Sequence, residues 1–178
     1  ACIKIGSEIT EYFTPNLGVR QGCVLSPLLF NIFLSDLAKD LQGIDGKLNL
    51  GIHEIGSLFW ADDIILLSTN EHHLSEMLKT VEDYCNKSKL SINVEKTKCM
   101  IFNKSGRLLR PKFYMNNTKL ENVRSYKYLG FLFTPSGEIR SGLSDLRDRA
   151  LKAFMKIKIA LGDHFNDSIA TTLKVFDT

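Results

Sequence analysis

The chain has 178 residues, 44% of them hydrophobic and 24% charged. These values exclude a disordered or linker-dominated protein and allow a core that needs no disulfide or metal staple. With 23 Lys and Arg against 20 Asp and Glu, the net charge is +3, compatible with nucleic-acid binding without arguing for it, so the placement of charge must decide. Cys2, Cys23, Cys85 and Cys99 are scattered without a C-x-x-C pair, which points away from a zinc site or a disulfide framework and toward reduced thiols in an intracellular protein. No apolar run approaches the roughly 18 residues a membrane helix needs, so no membrane partner is expected.

In chain order, residues 3–5 and 8–14 read as two short strands around Gly6-Ser7. A Gly-bearing loop, GVRQGCVLSP, then leads into a helix from Leu28 to about Leu41, with Ser26 as its cap, Pro27 at its first position and Gly43 past its end. Its apolar residues surround most of the helix, which predicts burial on more than one side. After a polar stretch, SLFWADDIILLS reads as strand, acidic turn and strand. Asn70 starts an amphipathic helix to about Leu90, with Leu74, Met77, Leu78, Val81, Tyr84 and Cys85 on one face. His72-His73 has no third ligand at useful spacing and reads as exposed first-turn residues. Short strands are predicted at 91–94, 98–102, 112–116 and 126–134, and a helix at 143–161. The fold class expected is α+β, an antiparallel sheet backed by helices with a C-terminal helix.

Asp62-Asp63 is the sharpest chemical feature. Two adjacent carboxylates inside an apolar run cannot both be buried and charged without compensation. A tight turn projecting both toward solvent resolves the conflict, and such hard oxygen donors suit Mg²⁺. A plain solvated hairpin turn is the alternative. From Lys96 to Lys112 there are six cations (Lys96, Lys98, Lys104, Arg107, Arg110, Lys112) and no acidic residue, a local positive field suited to a phosphate backbone or, failing that, a solvated loop.

In order along the chain, GVRQGCVLSPLLFNIFLSDL (18–37), LFWADDIILLS (58–68), LSINVEKTKCMIF (90–102) and YKYLGFLF (126–133) resemble four successive motifs of reverse transcriptases. The likeness is to the non-LTR, LINE-class retrotransposon enzymes and covers roughly residues 3–134. It implies a polymerase palm over residues 1–140 and the start of a helical thumb over 141–178. It implies that Asp62 is the main Mg²⁺ ligand and Asp63 the supporting carboxylate. Arg20, Gln21, Gly22 and Trp60 would position nucleotide and template, with Trp60 standing where the family pattern usually has Tyr or Phe. Lys96 would neutralise or protonate the departing pyrophosphate. Lys98, Lys104, Arg107, Arg110 and Lys112 would meet the nucleic-acid backbone, and Tyr128-Leu129-Gly130 would grip the primer end.

The family also needs an aspartate upstream of GVRQG, and the 17 residues before Gly18 contain none. The expectation is therefore a partial palm from an RNA-directed DNA polymerase that uses two Mg²⁺ ions and is not competent alone. The alternative is a repurposed palm acting as a nucleic-acid-binding or protein-interaction module. The partners expected are an RNA template and a DNA primer, together with the upstream part of its parent or a second copy. The location expected is the cytoplasm and nucleus.

Overall fold

The computed structural model describes residues 2–12, 18 and 22–161. Among them are three helices and six two-stranded ladders, an α+β arrangement in which five separate antiparallel hairpins and one parallel pair stand where the sequence predicts an antiparallel sheet. The chain divides between Ile92 and Asn93 into two compact units.

In the first unit, β1 (Lys4–Ile5) and β2 (Glu8–Ile9) form an antiparallel pair, shorter than the sequence predicts, with Gly6 at φ 62° in the turn. Helix α1 (Ser26–Gln42) begins earlier than predicted. Leu25 occupies the cap position and makes no side-chain cap bond, so Ser26 is the first helical residue and not the cap. At the other end the Gly43 N–H donates to the Asp40 carbonyl at 3.2 Å and the Ile44 N–H to the Leu41 carbonyl at 3.3 Å. Burial on several sides is not what the structure holds. Leu34, Leu37 and Leu41 are buried, whereas Leu28, Leu29, Ile32 and Phe33 are exposed. Among the described residues one further helix and one strand make the main contacts with α1, enough to cover a single stripe.

That helix is α2 (Glu71–Lys87), where the expected capping holds: Asn70 Oδ1 accepts the His72 N–H at 2.7 Å. Met77, Leu78, Val81 and Cys85 are buried on one face, as the three- and four-residue spacing requires. Tyr84 donates its hydroxyl proton to the Phe33 carbonyl and sets its ring edge-on to Phe33 with centroids 6.1 Å apart, which ties α2 to α1.

The polar stretch after α1 contains an unforeseen hairpin, β3 (Leu48–Leu50) with β4 (His53–Ile55). It leads into the hairpin of β5 (Ser57–Trp60) and β6 (Asp63–Leu66), with β5 against α1 and β6 against α2. The Gly46 carbonyl anchors the exit of this hairpin, accepting from Thr69 N at 2.8 Å and Ser68 Oγ at 3.0 Å.

In the second unit the strand predicted at 91–94 is absent. Asn93 Oδ1 accepts the Lys96 N–H at 3.0 Å and its carbonyl accepts the Thr97 N–H at 3.1 Å, so a side-chain-stabilised turn displaces the extended backbone. Strand β7 (Lys98–Cys99) stops well short of residue 102. Strands β8 (Tyr114–Met115) and β9 (Thr118–Lys119) turn at Asn116-Asn117, both in the left-handed region at φ 49° and 59°. Strand β10 (Glu121–Asn122) returns parallel to β7. Cys99, Phe113, Met115 and Leu120 form the buried centre here.

The run predicted as one strand over 126–134 is a hairpin, β11 (Tyr126–Tyr128) and β12 (Phe131–Phe133), turning at Leu129-Gly130. Helix α3 (Ile139–Leu161) starts four residues before its predicted position and packs on β12. Gly142 permits the approach, because a Cβ there would stand 2.2 Å from the Phe131 ring.

Candidate active site

The β5–β6 register pairs Trp60 with Asp63, Phe59 with Ile64, Leu58 with Ile65 and Ser57 with Leu66. Cross-strand partners share a face. Ser57, Phe59, Ile64 and Leu66 therefore form the half-buried side of the hairpin. Leu58, Trp60, Asp63 and Ile65 occupy the other, where Trp60 is 64% exposed.

Ala61-Asp62 makes the two-residue turn, with Ala61 at φ 52°. A left-handed first turn residue matches the twist of two antiparallel strands. Asp62 stands at the tip and Asp63 one residue on, both exposed. Water thus solvates both carboxylates, and the conflict between an acidic pair and an apolar run disappears. The arrangement presents two hard oxygen donors on one tip beside an exposed indole. Among the described residues, no group of three or more His, Cys, Asp or Glu gathers into a metal cluster.

Arg20 and Gln21 lie outside the described residues. Gly22, just ahead of α1, holds φ 78°, and a Cβ there would meet open space.

The remaining candidates belong to the second unit. Lys96 is exposed at the end of the turn held by Asn93. Lys98 is paired with Glu121 at 2.6 Å across the β7–β10 ladder, so a carboxylate already balances its charge. Lys104, Arg107, Arg110 and Lys112 are exposed. Asn103 organises this segment: its Nδ2 donates to the Arg107 carbonyl at 2.8 Å, and its Oδ1 accepts from Ser105 Oγ at 2.6 Å and Arg107 N at 3.1 Å. The cations are carried on a trussed loop.

At the β11–β12 tip, Leu129 and Gly130 hold φ 46° and 79°, the pair of left-handed angles a type I′ turn demands. Leu129 is exposed and Tyr128 half-buried. Arg149 of α3 donates to the Gly130 carbonyl and, at 2.9 Å, to Asp145, which also binds Lys127 at 3.1 Å. The Lys127 hydrogen bond, helped by the Arg149 charge, holds the Asp145 carboxyl below the usual aspartate range.

The sequence gives no sign of the Arg149 clamp on Gly130. A contact between residues 19 positions apart leaves no local signal. The β8–β9 hairpin did leave one, since Asn-Asn suits a left-handed turn.

Comparison with known proteins adds a family model, "Reverse transcriptase (RNA-dependent DNA polymerase)", which matches residues 1–133. The chain is 32% identical over 139 residues to a Pol polyprotein from the type-1 retrotransposable element R2 of Popillia japonica, covering 72% of this chain and 19% of that protein. It is 31% identical over 139 residues to the corresponding R2 polyprotein of Nasonia vitripennis, covering 73% of this chain and 14% of the relative. It is 27% identical over 165 residues to the RNA-directed DNA polymerase from the mobile element jockey of Drosophila funebris, covering 89% and 18%. The chain thus spans less than a fifth of the length of these relatives.

Proposed function

The chain belongs to the reverse-transcriptase family, of the non-LTR retrotransposon kind, and on that premise we propose that it forms part of the palm and the start of the thumb of an RNA-directed DNA polymerase. The observation that carries the reading is the β5–β6 tip, where Asp62 and Asp63 stand exposed beside Trp60. Two carboxylates at a solvated tip fit Mg²⁺, which retains waters and takes one or two protein carboxylates together with substrate phosphates. Two such ions, when bound, stabilise the attacking and leaving oxygens of nucleotidyl transfer.

Within this reading Asp62 is the principal ligand and Asp63 supports it. Trp60, on the same face as Asp63, packs against the primer end. Arg20, Gln21 and Gly22 orient nucleotide and template, and Lys96 offers a charge or a proton to the departing pyrophosphate. Tyr128, Leu129 and Gly130 grip the primer, while Lys104, Arg107, Arg110 and Lys112 follow the phosphate backbone of the template–primer. Lys98 reaches that backbone only by sharing or leaving Glu121. An RNA template and a DNA primer are the partners, in cytoplasm and nucleus.

Manganese used in place of magnesium gives a direct test. Paramagnetic broadening of amide resonances should centre on residues 60–64, weaken in Asp63→Asn and vanish in Asp62→Asn. Broadening that survives Asp62→Asn takes the hairpin out of the metal site. In a template–primer extension assay, any incorporation must likewise disappear in Asp62→Asn.

A further inference from the structure

Helix α3 holds the β11–β12 tip at two points. Arg149 donates from Nη2 to the Gly130 carbonyl and from Nε to Asp145 at 2.9 Å. Lys127 Nζ lies 3.1 Å from Asp145 Oδ2. Asp145 and Arg149 stand four residues apart, so both reach the hairpin from one face of α3. The guanidinium also lies over the turn, since a Cβ built on Gly130 would stand 3.7 Å from Arg149 Nη1. Tyr128 and Leu129 fall between the two anchored residues, and Leu129 is exposed.

This network does little to hold the hairpin together. Its side chains remain open to solvent, 45% for Lys127, 25% for Asp145 and 42% for Arg149, and ion pairs in that setting add little stability. The packing of β12 on α3, with Phe131 against Gly142, already secures the strands. What the network adds is direction. Strands β11 and β12 have three residues each and no third strand among the described residues, and so small a pair is poorly fixed by itself. With Lys127 and Gly130 both tied to α3, the tip cannot turn about the Phe131 contact without breaking one of these bonds.

We propose that Arg149 is a positioning residue for the Tyr128-Leu129-Gly130 turn, with Asp145 orienting its guanidinium, so that α3 sets where the primer terminus is held. The inference rests on the reading of that turn as the primer grip and adds a residue that itself needs no contact with nucleic acid. Arginine suits the task because its planar fork engages two acceptors at a fixed angle, which an ammonium group does not reproduce.

The test uses the full chain bound to an RNA template annealed to a DNA primer with 2-aminopurine at its 3′ terminus. Anisotropy of a dye at the far end of the duplex reads overall affinity. The 2-aminopurine fluorescence, measured with all of the duplex bound, reads how the primer end is held. Binding of the unsubstituted chain should change that fluorescence. Arg149→Gln should lose most of the change while the duplex still saturates, and Asp145→Asn should lose part of it. The two together should lose no more than Arg149→Gln alone, because both act through one guanidinium. Arg149→Lys should fail to restore the signal although it keeps the charge. A merely structural role gives another pattern, weaker binding with an unaltered signal once all of the duplex is bound, and that pattern overturns the proposal. Unaltered far-UV circular dichroism establishes folding, and the milder Arg149→Lys keeps the test open should Arg149→Gln fail to fold. A full signal in Arg149→Lys shows that charge alone suffices and also overturns the clamp. Leu129→Asn separates this inference from the grip reading. If Leu129→Asn abolishes the signal and Arg149→Gln leaves it intact, the inference falls and the grip stands. If the unsubstituted chain gives no signal, or neither substitution alters it, both fall.

Discussion

Ala61 and Leu129 hold backbone angles that residues with side chains avoid, at φ 52° and 46°. Left-handed backbone costs such residues roughly 1–2 kcal/mol, and it persists where the surroundings impose it. Each sits at the tip of a hairpin that the proposed function uses. Ala61→Gly should raise stability by about 1 kcal/mol in urea unfolding. Leu129→Asn, which creates the Asn-Gly pair favoured in a type I′ turn, should also stabilise, and primer binding should weaken if the exposed leucine is part of the grip. A primer affinity untouched by Leu129→Asn would leave that turn with a structural role alone. Gly142 carries the opposite constraint. An added Cβ at 2.2 Å from the Phe131 ring must displace the ring or the helix. Gly142→Ala is therefore expected to cost about 1–3 kcal/mol, read from the same unfolding curves.

Helix α2 was legible in its start and its buried face because those signals are local: Asn70 caps it, and its buried residues recur at helical spacing, although it ends at Lys87 and not near Leu90. The Leu90–Val94 run alternates like a strand, yet the Asn93 side chain captures the Lys96 N–H and a turn results. Helix α1 was misjudged in a different way. Its residues are apolar on most sides, but how many sides are covered depends on what packs there, which the residues of α1 do not encode. The acidic pair at 62–63 was readable because charge inside an apolar run has few physical resolutions. The Asp145 contacts, which join α3 to β11, were not readable at all. They give α3 a pH dependence. The Asp145 carboxyl is held below its ordinary range, so its stabilising effect is full above the unfolded aspartate value. It is lost as pH falls through the depressed folded value. Amide exchange along the first turns of α3 should quicken as pH drops through that window, after correction for intrinsic rates, and Asp145→Asn should remove that change.

At the scale of the whole molecule, much apolar surface is left uncovered. Leu28, Leu29 and Ile32 on α1 and Leu58 and Trp60 on β5 are all exposed in the first unit. The outer edges of β5 and β6 have no further strand partner among the described residues. Exposed apolar faces and open strand edges favour association with other chains. Sedimentation velocity should therefore show association that rises with protein concentration, and Ile32→Lys should reduce it. A stable monomer at high concentration, with slow amide exchange along residues 57–66, would contradict this expectation.

The loop from Lys104 to Arg110 is held at both ends by asparagine amides, Asn103 gripping Arg107 on one side and Asn122 gripping Pro111 on the other. Beneath it, the Lys98–Glu121 pair and the parallel β7–β10 ladder fix where the excursion leaves and rejoins the core. Lengthening a loop whose ends are already fixed is inexpensive, about 0.6 kcal/mol for each doubling. Residues can thus be inserted, removed or recharged between the two amides without shifting the register below. If the loop meets a phosphate backbone as proposed above, such a scaffold lets that hold vary while the buried frame keeps its register.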